Sequence, residues 1–256
     1  MIHPTALVHP GARLANGVEV GAYSIIGEHV EIGAGTRIGP HVVIAGHTRL
    51  GESNRVFQFC SLGEEPQDKK YAGEPTRLEI GDHNVIREFC SFNVGTAQDV
   101  GVTRLGDHNW IMAYVHLAHD CQVGNHTIFA NNATLAGHVQ VGDYAILGGF
   151  TGVHQFCRVG AHVITGIASV VRQDIPPFLT VAGNPLTPFG INSEGLKRRG
   201  YSSESLAALK RAYKTLYKSG LSLADAQAAI ATEAQTHAEL APLAEFLASA
   251  GRGIVR

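Results

Sequence analysis

The sequence predicts an all-β domain joined to α-helices: a parallel β-helix of hexapeptide repeats with a C-terminal α-helical domain. Three observations predict it. Aliphatic residues recur at every sixth position from Ile2 to Val171, glycine follows many of them, and an Ala-, Leu-, Lys- and Glu-rich segment begins near Ser203. A period of six fits neither an amphipathic helix nor a simple strand, and it is typical of hexapeptide β-helices.

The aliphatic ladder covers residues 2–62, resumes over 80–92, and runs again over 105–159. Each hexapeptide supplies one short strand and one turn, and three hexapeptides complete a triangular coil. Residues 18 apart therefore stack on successive coils, at a rise of about 4.8 Å. Glycines such as Gly27 and Gly39 directly follow inward aliphatic residues, where the chain bends tightly and a residue without Cβ is favoured.

Two stretches interrupt the ladder, and we interpret both as loops inserted at corners of the coils. Residues 64–79 are charged and contain Pro66 and Pro75, while residues 93–103 move the ladder out of register by one. Solenoids tolerate insertions at corners and often build their binding face from them. Loops of this length in a compact domain are more often functional than accidental.

Helical spacing replaces the ladder from about Ser203. Its apolar stripe consists of Leu206, Leu209, Tyr213, Leu216 and Tyr217. A second helix is expected to begin at Ser222, which has Asp225 three residues on, and a third is expected over residues 239–250. The chain is thus divided into a β-helix, residues 1–190, and a helical domain, residues 191–256, that caps the solenoid.

Composition excludes several classes of protein. The 256 residues carry a net charge of −2, which disfavours nucleic-acid binding. No apolar run approaches the length of a membrane span, and the first residues do not resemble a signal peptide. The four cysteines are isolated, with no C-x-x-C pair (Cys60, Cys90, Cys121 and Cys157). Isolated cysteines indicate a reducing compartment, so we expect a cytoplasmic protein.

Basic residues are concentrated between Asn192 and Lys218. Seven of them face only two acids in this segment, Glu194 and Glu204; the seven are Lys197, Arg198, Arg199, Lys210, Arg211, Lys214 and Lys218. Such an excess is typical either of a solvated helix face or of a surface that docks an acidic partner or a phosphate. Charge alone leaves both interpretations open.

Histidine is frequent, with fourteen in the chain. Five of them cluster in the second half of the repeats: His116, His119, His138, His154 and His162. Because residues 18 apart stack, His119, Gly137 and Gln155 are predicted to share one corner of three successive coils. Asp120 and His138 stack in the same way. This column spans about 10 Å, twice the coil rise, which is the size of a catalytic site.

The column has the groups that base-catalysed chemistry needs. Histidine removes protons near neutral pH, and Asp120 directly after His119 could orient the ring. Gly137 at the same corner should leave its backbone N–H exposed as an oxyanion donor. Two alternatives are weaker: zinc binding by His116, His119 and His138 lacks a recognised ligand spacing, and Cys121 has no basic environment to activate it. We therefore expect no metal.

Several runs of the chain resemble the UDP-N-acetylglucosamine 3-O-acyltransferase family. They are His-Leu-Ala-His-Asp-Cys at 116–121, residues 130–138, Val-His-Gln-Phe-Cys at 153–157, residues 67–77 of the first insertion, and Gly-Leu-Lys-Arg-Arg-Gly at 195–200. The resemblance spans essentially the whole chain. It implies left-handed winding of the β-helix, a homotrimer with active sites between subunits, and the first step of lipid A synthesis.

The resemblance also implies a role for individual residues. His119 would be the general base that takes a proton from the sugar 3-hydroxyl, Asp120 would support it, and the Gly137 N–H would form the oxyanion hole. The acyl donor would be the 4'-phosphopantetheine arm of acyl carrier protein, docked on the basic helical face, with no other cofactor. Substrate-binding positions matched by the family are Gln67, Asp68, Lys70, His116, His138, His154, Gln155, Asn192, Glu194 and Arg198.

The chain departs from the family at two places. Asn93-Val94-Gly95-Thr96 stands where many relatives have His-Arg-Gly-Thr, which puts contacts made by that His or Arg in doubt. Ile167 replaces a Gly of some relatives, and a branched side chain there should shorten the acyl groove. The departure at Ile167 predicts a 3-hydroxyacyl donor of the decanoyl-to-dodecanoyl class.

Rival hypotheses come from three classes of protein. A related N-acyltransferase of the same pathway normally adds an N-terminal uridine-binding domain, whereas the repeats here begin at Ile2. A structural or ice-binding β-helix would need threonine ladders on one flat face. A zinc hydratase would need the histidines to be ligands.

Overall fold

The computed structural model describes residues 1–250 and 253–256 and consists of a left-handed parallel β-helix followed by four α-helices. The predicted fold class is confirmed. Each coil contributes one short strand to each of three flat sheets. We call them sheets I, II and III in the order in which the chain enters them, and we name the corners between them edges I–II, II–III and III–I.

The strands of the three sheets are as follows. Sheet I contains Leu7–Val8, Ile25–Ile26, Val43–Ile44, Ser61–Glu64, Ser91–Asn93, His116–Leu117, Thr134–Leu135, Gly152–Val153 and Val170–Val171. Sheet II contains Arg13–Leu14, Glu31–Ile32, His47–Leu50, Arg77–Ile80, Val102–Leu105, Gln122–Val123, Gln140–Val141 and Arg158–Val159. Sheet III contains Glu19–Val20, Arg37–Ile38, Arg55–Val56, Val85–Ile86, Trp110–Ile111, Ile128–Phe129, Ile146–Leu147, Ile164–Thr165, Leu179–Ala182 and Thr187–Ile191.

The register follows the ladder, changes at the insertions, and changes again at the end of sheet III, where Ile164 pairs with Thr180 and Leu179–Ala182 pairs antiparallel with Thr187–Ile191. Ladder residues 18 apart pair in parallel across each sheet, as Leu117 does with Leu135. Across the insertions, Leu62 pairs with Phe92 and Phe92 with Leu117. The chain leaves sheet I before each insertion and returns in sheet II after it. Both loops therefore lie at edge I–II.

The core of the β-helix is the aliphatic ladder itself. Ile44, Leu62, Leu117 and Leu147 are completely buried, and each such side chain contributes about 1.5–3 kcal/mol of burial free energy. The first coil is less covered, so Val8 is only partly buried. At all three edges residues with φ near +60° recur, a backbone conformation that costs a non-glycine residue about 1–2 kcal/mol.

The helical domain contains α1 (Ser193–Arg198), α2 (Ser203–Tyr217), α3 (Leu223–Ala234) and α4 (Ala241–Ala248), with a 3-10 turn at Ala238–Leu240. The hydroxyl of Ser202 caps α2 by accepting from the Ser205 N–H, and the hydroxyl of Ser222 caps α3 by accepting from the Asp225 N–H. The sequence pattern does not predict α1. The helix expected over 239–250 begins with the 3-10 turn and ends at Ala248.

Arg158 joins the β-helix to the helical domain. Arg158, at the end of sheet II, bonds the buried Asp174 at 3.0 Å, and its guanidinium also donates to the Ser249 hydroxyl and the Phe246 carbonyl. The guanidinium lies 4.3 Å from the centre of the Phe246 ring. These contacts fasten α4 beside the last coils. No α-helix in the described part of the chain is both long and apolar enough to cross a membrane.

Candidate active site

The predicted histidine column lies at edge I–II. The backbone N–H of His138 donates to the carbonyl of His119 at 3.0 Å, and that of Phe156 donates to the carbonyl of Gly137 at 3.1 Å. Gln155 lies on the same turn, directly before Phe156, and is exposed. The column therefore stands directly beside both insertions, which leave the β-helix at this same edge.

His119 and Asp120 form a hydrogen-bonded pair. Nδ1 of His119 lies 3.0 Å from Oδ2 of Asp120, whose side chain is completely buried. A carboxylate only accepts hydrogen bonds, so Nδ1 carries the proton and Nε2 keeps its lone pair. This is the tautomer that a general base requires.

Thr96 of the second insertion holds the carboxylate of this pair. Its hydroxyl donates to Oδ2 of Asp120 at 2.6 Å, and its backbone N–H lies 3.0 Å from both carboxylate oxygens. Burial raises the pKa of Asp120, but the hydrogen bonds from His119 and Thr96 outweigh it and keep the pKa below its ordinary value. Asp120 is therefore charged at neutral pH.

Gly137 lies directly under the His119 ring. A Cβ added at Gly137 would come within 2.6 Å of both Cε1 and Nε2 of His119, so only glycine leaves room for the imidazole. The expectation of an exposed Gly137 N–H is wrong for the single chain, because the ring covers the residue and buries it. The N–H has no acceptor among the described residues, and it therefore stays available to a group that enters beside the ring.

His138 has four neighbours. Its Nδ1 donates to Oδ2 of Asp99 at 2.5 Å and lies 3.8 Å from Oδ2 of Asp120. Its ring stacks on Phe156, with centroids 4.2 Å apart and planes within 3°, and meets His119 edge-on at 89°. Asp99 and Phe156 were not among the predicted site residues. Phe156 follows His138 by 18 positions, so the stacking rule could have found it.

Two further predicted histidines lie near this group. His116 bonds the Ser91 hydroxyl through Nδ1 at 2.8 Å, and burial lowers its pKa, with a further lowering from the charge of nearby His119. His154 is exposed, and its Nδ1 donates to the Gln155 carbonyl at 3.1 Å. The fifth histidine of the predicted cluster does not join them, because His162 lies at edge II–III, stacked between Tyr144 and Phe178.

A cavity of about 450 Å³ opens beside His138. Both insertions line it: Asp68 and Lys70 come from the first, and Gln98 and Asp99 from the second. Gln67 is exposed and does not line it. The cavity carries charge of both signs within reach of the histidine pair, which suits a polar substrate.

The departure at Asn93-Val94 has a structural explanation. The Asn93 amide donates to the Glu65 carbonyl at 2.9 Å, and the Val94 N–H donates to the Glu64 carbonyl at 3.1 Å. Both residues are buried, and Val94 belongs to the core. These residues therefore join the two insertions to each other rather than facing the cavity.

The residues predicted to reach the nucleotide lie apart from the column. Asn192 is buried, caps α1 by accepting from the Gly195 N–H, and donates to the His162 carbonyl, so both ends of its amide are hydrogen-bonded. Glu194 pairs with Lys197 at 2.8 Å on the exposed face of α1. Arg198 is the third predicted residue of this region. Among the described residues, none of these three side chains bonds His119 or His138.

Ile167 also lies apart from the histidine column. It is at edge III–I, where 74% of its surface is exposed. A single chain thus places this residue at a different corner from His119. Any contact between Ile167 and a chain bound at edge I–II has to involve a second subunit.

Metal and thiol chemistry were the alternatives for this region. Ligand atoms of His119, Asp120 and His138 lie within 4.8 Å of one another, which a metal ion could bridge. In the structure each imidazole instead donates Nδ1–H directly to a carboxylate, an arrangement suited to proton transfer. Cys121 is buried, and burial raises the pKa of its thiol to about 12, so it is an inert thiol.

Comparison with known proteins bears on the same residues. Residues 174–255 match the family model described as UDP-N-acetylglucosamine O-acyltransferase, domain 2, and residues 103–137 match the bacterial transferase hexapeptide model. The chain is 71% identical over 255 residues to the acyl-[acyl-carrier-protein]–UDP-N-acetylglucosamine O-acyltransferase of Thiobacillus denitrificans, covering 100% of this chain and 99% of the relative. The protein of the same name from Neisseria gonorrhoeae is 59% identical with the same coverage.

Solved structures agree with these relatives. The UDP-N-acetylglucosamine acyltransferase of Francisella novicida superimposes with a TM-score of 0.99 at 42% identity, covering 100% of this chain and 94% of that one. The UDP-N-acetylglucosamine O-acyltransferase of Moraxella catarrhalis gives a TM-score of 0.98, also at 42% identity, with 100% and 99% covered. The similarity extends over the β-helix, both insertions and the helical domain.

Proposed function

The chain belongs to the UDP-N-acetylglucosamine O-acyltransferase family, and from this premise we propose that it transfers a 3-hydroxyacyl chain from acyl carrier protein to the 3-hydroxyl of UDP-N-acetylglucosamine, the first step of lipid A synthesis. The observation that carries the proposed mechanism is the His119–Asp120 pair, with Nδ1 bound to the carboxylate and Nε2 free beside Gly137.

In the proposed reaction, Nε2 of His119 takes the proton of the sugar 3-hydroxyl while its oxygen attacks the thioester carbonyl carbon. Asp120 stabilises the imidazolium that forms, and the Gly137 N–H donates to the developing oxyanion. The C–S bond then breaks, and the imidazolium returns the proton to the thiolate of the phosphopantetheine arm. No resident cofactor is needed, since the donor brings its own arm.

A homotrimer would complete the site. Edge III–I carries Ile167 and a line of exposed aromatic residues, among them Tyr23, Phe59, Tyr114 and Phe150. Exposed apolar surface of this kind marks protein interfaces. We place edge III–I of a neighbouring subunit opposite edge I–II, so that Ile167 of the neighbour reaches the substrate. Sedimentation of the protein as a monomer would contradict this arrangement.

The helical domain offers a surface for the carrier protein. Lys210 and Lys214 lie four residues apart on α2, with Lys218 at its C-cap, and all three are exposed. They form no ion pair among the described residues. By contrast, Arg211 pairs with Glu233, and Arg199 lies over the Tyr144 ring. The stripe of three lysines fits an acidic carrier, and Lys214→Glu should raise the KM for the donor with little change in kcat.

Acyl-chain length is the specificity that Ile167 would control. Its branched side chain would close the end of the groove and favour decanoyl-to-dodecanoyl donors. Ile167→Gly should shift donor competition toward longer 3-hydroxyacyl chains. An unchanged preference would remove Ile167 from the proposal.

The proposed function is tested by acyl transfer from hydroxyacyl carrier protein to UDP-N-acetylglucosamine. His119→Ala removes the base and should lower kcat by about 10²–10⁴, the usual contribution of a positioned base. His126→Ala is the matched control, because His126 occupies edge II–III and takes no part in the site. Full activity of the His119 variant would overturn the mechanism, and wild type without transfer would overturn the function.

A further inference from the structure

We propose that Asp99 of the second insertion is a positioning residue, which holds His138 away from Asp120 and thereby reserves Asp120 for His119. The proposal rests on the proposed function, since it concerns the geometry of the same base. It starts from one observation: Nδ1 of His138 lies between two carboxylates, 2.5 Å from Oδ2 of Asp99 and 3.8 Å from Oδ2 of Asp120.

Oδ2 of Asp120 has no capacity for another donor. It already accepts from Nδ1 of His119 at 3.0 Å and from the Thr96 hydroxyl at 2.6 Å, and the Thr96 N–H lies 3.0 Å away. A carboxylate oxygen offers about two lone-pair sites. If His138 turned its Nδ1 to this oxygen, it would displace one of the existing donors. Loss of the His119 bond would leave the base without its orientation and with either tautomer possible.

The burial of Asp120 favours this replacement of His119 by His138. The Asp120 side chain is completely buried, whereas 40% of the Asp99 side chain is exposed. A buried carboxylate attracts an imidazole N–H donor more strongly than an exposed one at equal distance, because water screens the exposed charge. Without Asp99, His138 would therefore be drawn toward Asp120. The other titratable or charged groups near His138 are His119 and, around the cavity, Asp68, Lys70 and Arg158.

One turn of the second insertion carries both Thr96 and Asp99. The Asp99 N–H donates to the Thr96 carbonyl at 3.4 Å, so the two residues are the ends of a four-residue turn. Thr96 binds Asp120 and Asp99 binds His138. Next to the turn, the Gly95 N–H donates to the Arg77 carbonyl and fixes the loop to sheet II. The turn thus assigns one carboxylate to each histidine.

The experiment compares Asp99→Asn and Asp99→Glu with Val100→Ser, a matched control in the same loop whose side chain is exposed. Asp99→Asn keeps one acceptor oxygen but removes the negative charge that competes with Asp120 for His138, so we expect kcat to fall about tenfold, with KM for both substrates changed less than twofold. Asp99→Glu should restore most of kcat, and Val100→Ser should match wild type. An unchanged kcat in Asp99→Asn, or a loss that appears only in KM, would overturn the proposal.

A double-mutant cycle separates positioning from a merely structural role. In a His138→Phe background no imidazole remains to compete for Asp120, while the stack on Phe156 is kept. Asp99→Asn should then have no further effect on kcat. A tenfold loss that persists in this background would overturn the proposal. The His119→Ala assay reports on the proposed function independently, because its outcome does not depend on Asp99.

Discussion

Edges I–II and II–III of this β-helix present histidines at equivalent backbone positions and use them differently. His138 at edge I–II has φ 64°, and His108 and His126 at edge II–III have φ 57°. At edge II–III the rings lie parallel, with centroids 4.9 Å apart. At edge I–II, His138 and His119 meet edge-on at 89° and each donates to a carboxylate. The backbone position is therefore the same at the two edges, and what differs is whether a carboxylate bonds the ring.

Edge II–III also has carboxylates, but they are bound to backbone. Oδ1 of Asp107 accepts the Asp82 N–H, and Oδ1 of Asp143 accepts the Asn125 N–H, each at 2.7 Å. These contacts tie each coil to the preceding one. No ring nitrogen of the histidines at this edge bonds a carboxylate in the described residues. The same chemical groups thus stabilise the solenoid at one edge and are available for proton transfer at the other.

The largest effect on activity should be that of Asp120→Asn at edge I–II, compared with the equivalent change at edge II–III, Asp143→Asn. Asp120→Asn leaves one acceptor oxygen for both His119 and Thr96 and so permits the wrong tautomer; we expect kcat to fall about 10³-fold, or about 4 kcal/mol. Asp143→Asn keeps the oxygen that accepts the Asn125 N–H, so kcat should be unchanged. Steady-state kinetics of both variants test this. Similar losses in the two would remove the distinction between the edges.

The sequence was sufficient for the scaffold and for part of the site. The six-residue period placed each inward residue, and the 18-residue stacking placed His119, Gly137 and His138 together before any contact was known. These inferences succeed because a solenoid repeats one local geometry, so spacing along the chain converts directly into position.

The contacts made by the insertions could not be obtained in this way. Asp99 precedes His138 by 39 positions in a loop that has no period, so its partner depends on how the loop folds back. One signal was present, however. Leu62, Phe92 and Leu117 belong to the same column of the ladder, which places both insertions and His119 at one edge. The burial of Asn192 likewise depends on α1, a six-residue helix with too short a pattern to predict.

The next largest effect should be on stability at edge II–III. Burial, with a smaller contribution from the charge of Arg199, lowers the pKa of His162 to about 4 from 6.5. His162 is therefore protonated below pH 6.5 in the unfolded chain, but only below about pH 4 in the folded chain. This contribution to stability is fully present above pH 6.5 and is lost as the pH falls to 4, a total of about 3 kcal/mol.

His162→Phe should remove this dependence. Phenylalanine can stack between Tyr144 and Phe178 as the imidazole does, and it does not titrate. Urea unfolding at pH 7 and pH 4, at one fixed protein concentration, should show wild type losing about 3 kcal/mol more than the variant. Equal losses would mean that His162 is not held neutral in the folded chain.

The smallest effect should be that of His126→Phe on stability at edge II–III. The equivalent change at edge I–II, His138→Phe, is expected to be severe for activity. His126→Phe replaces the five-membered imidazole between His108 and Tyr144 with a six-membered ring that can stack in the same place. Phe59, Phe89 and Phe150 show that phenylalanine adopts positive φ at coil corners in this fold. We expect the free energy of unfolding to change by less than about 0.5 kcal/mol, because a surface exchange that keeps its packing is usually this mild.

Activity of His126→Phe should equal that of wild type, whereas His138→Phe should lower kcat at least tenfold. Both substitutions keep a flat ring in a column, but only the second deprives Asp99 of its partner and removes a polar group from the cavity. Parallel thermal unfolding and acyl-transfer assays of the two variants separate stacking from chemistry. A loss of activity in His126→Phe would show that the stacked column at edge II–III controls the geometry of edge I–II across the coil, and the two edges could then no longer be treated as independent.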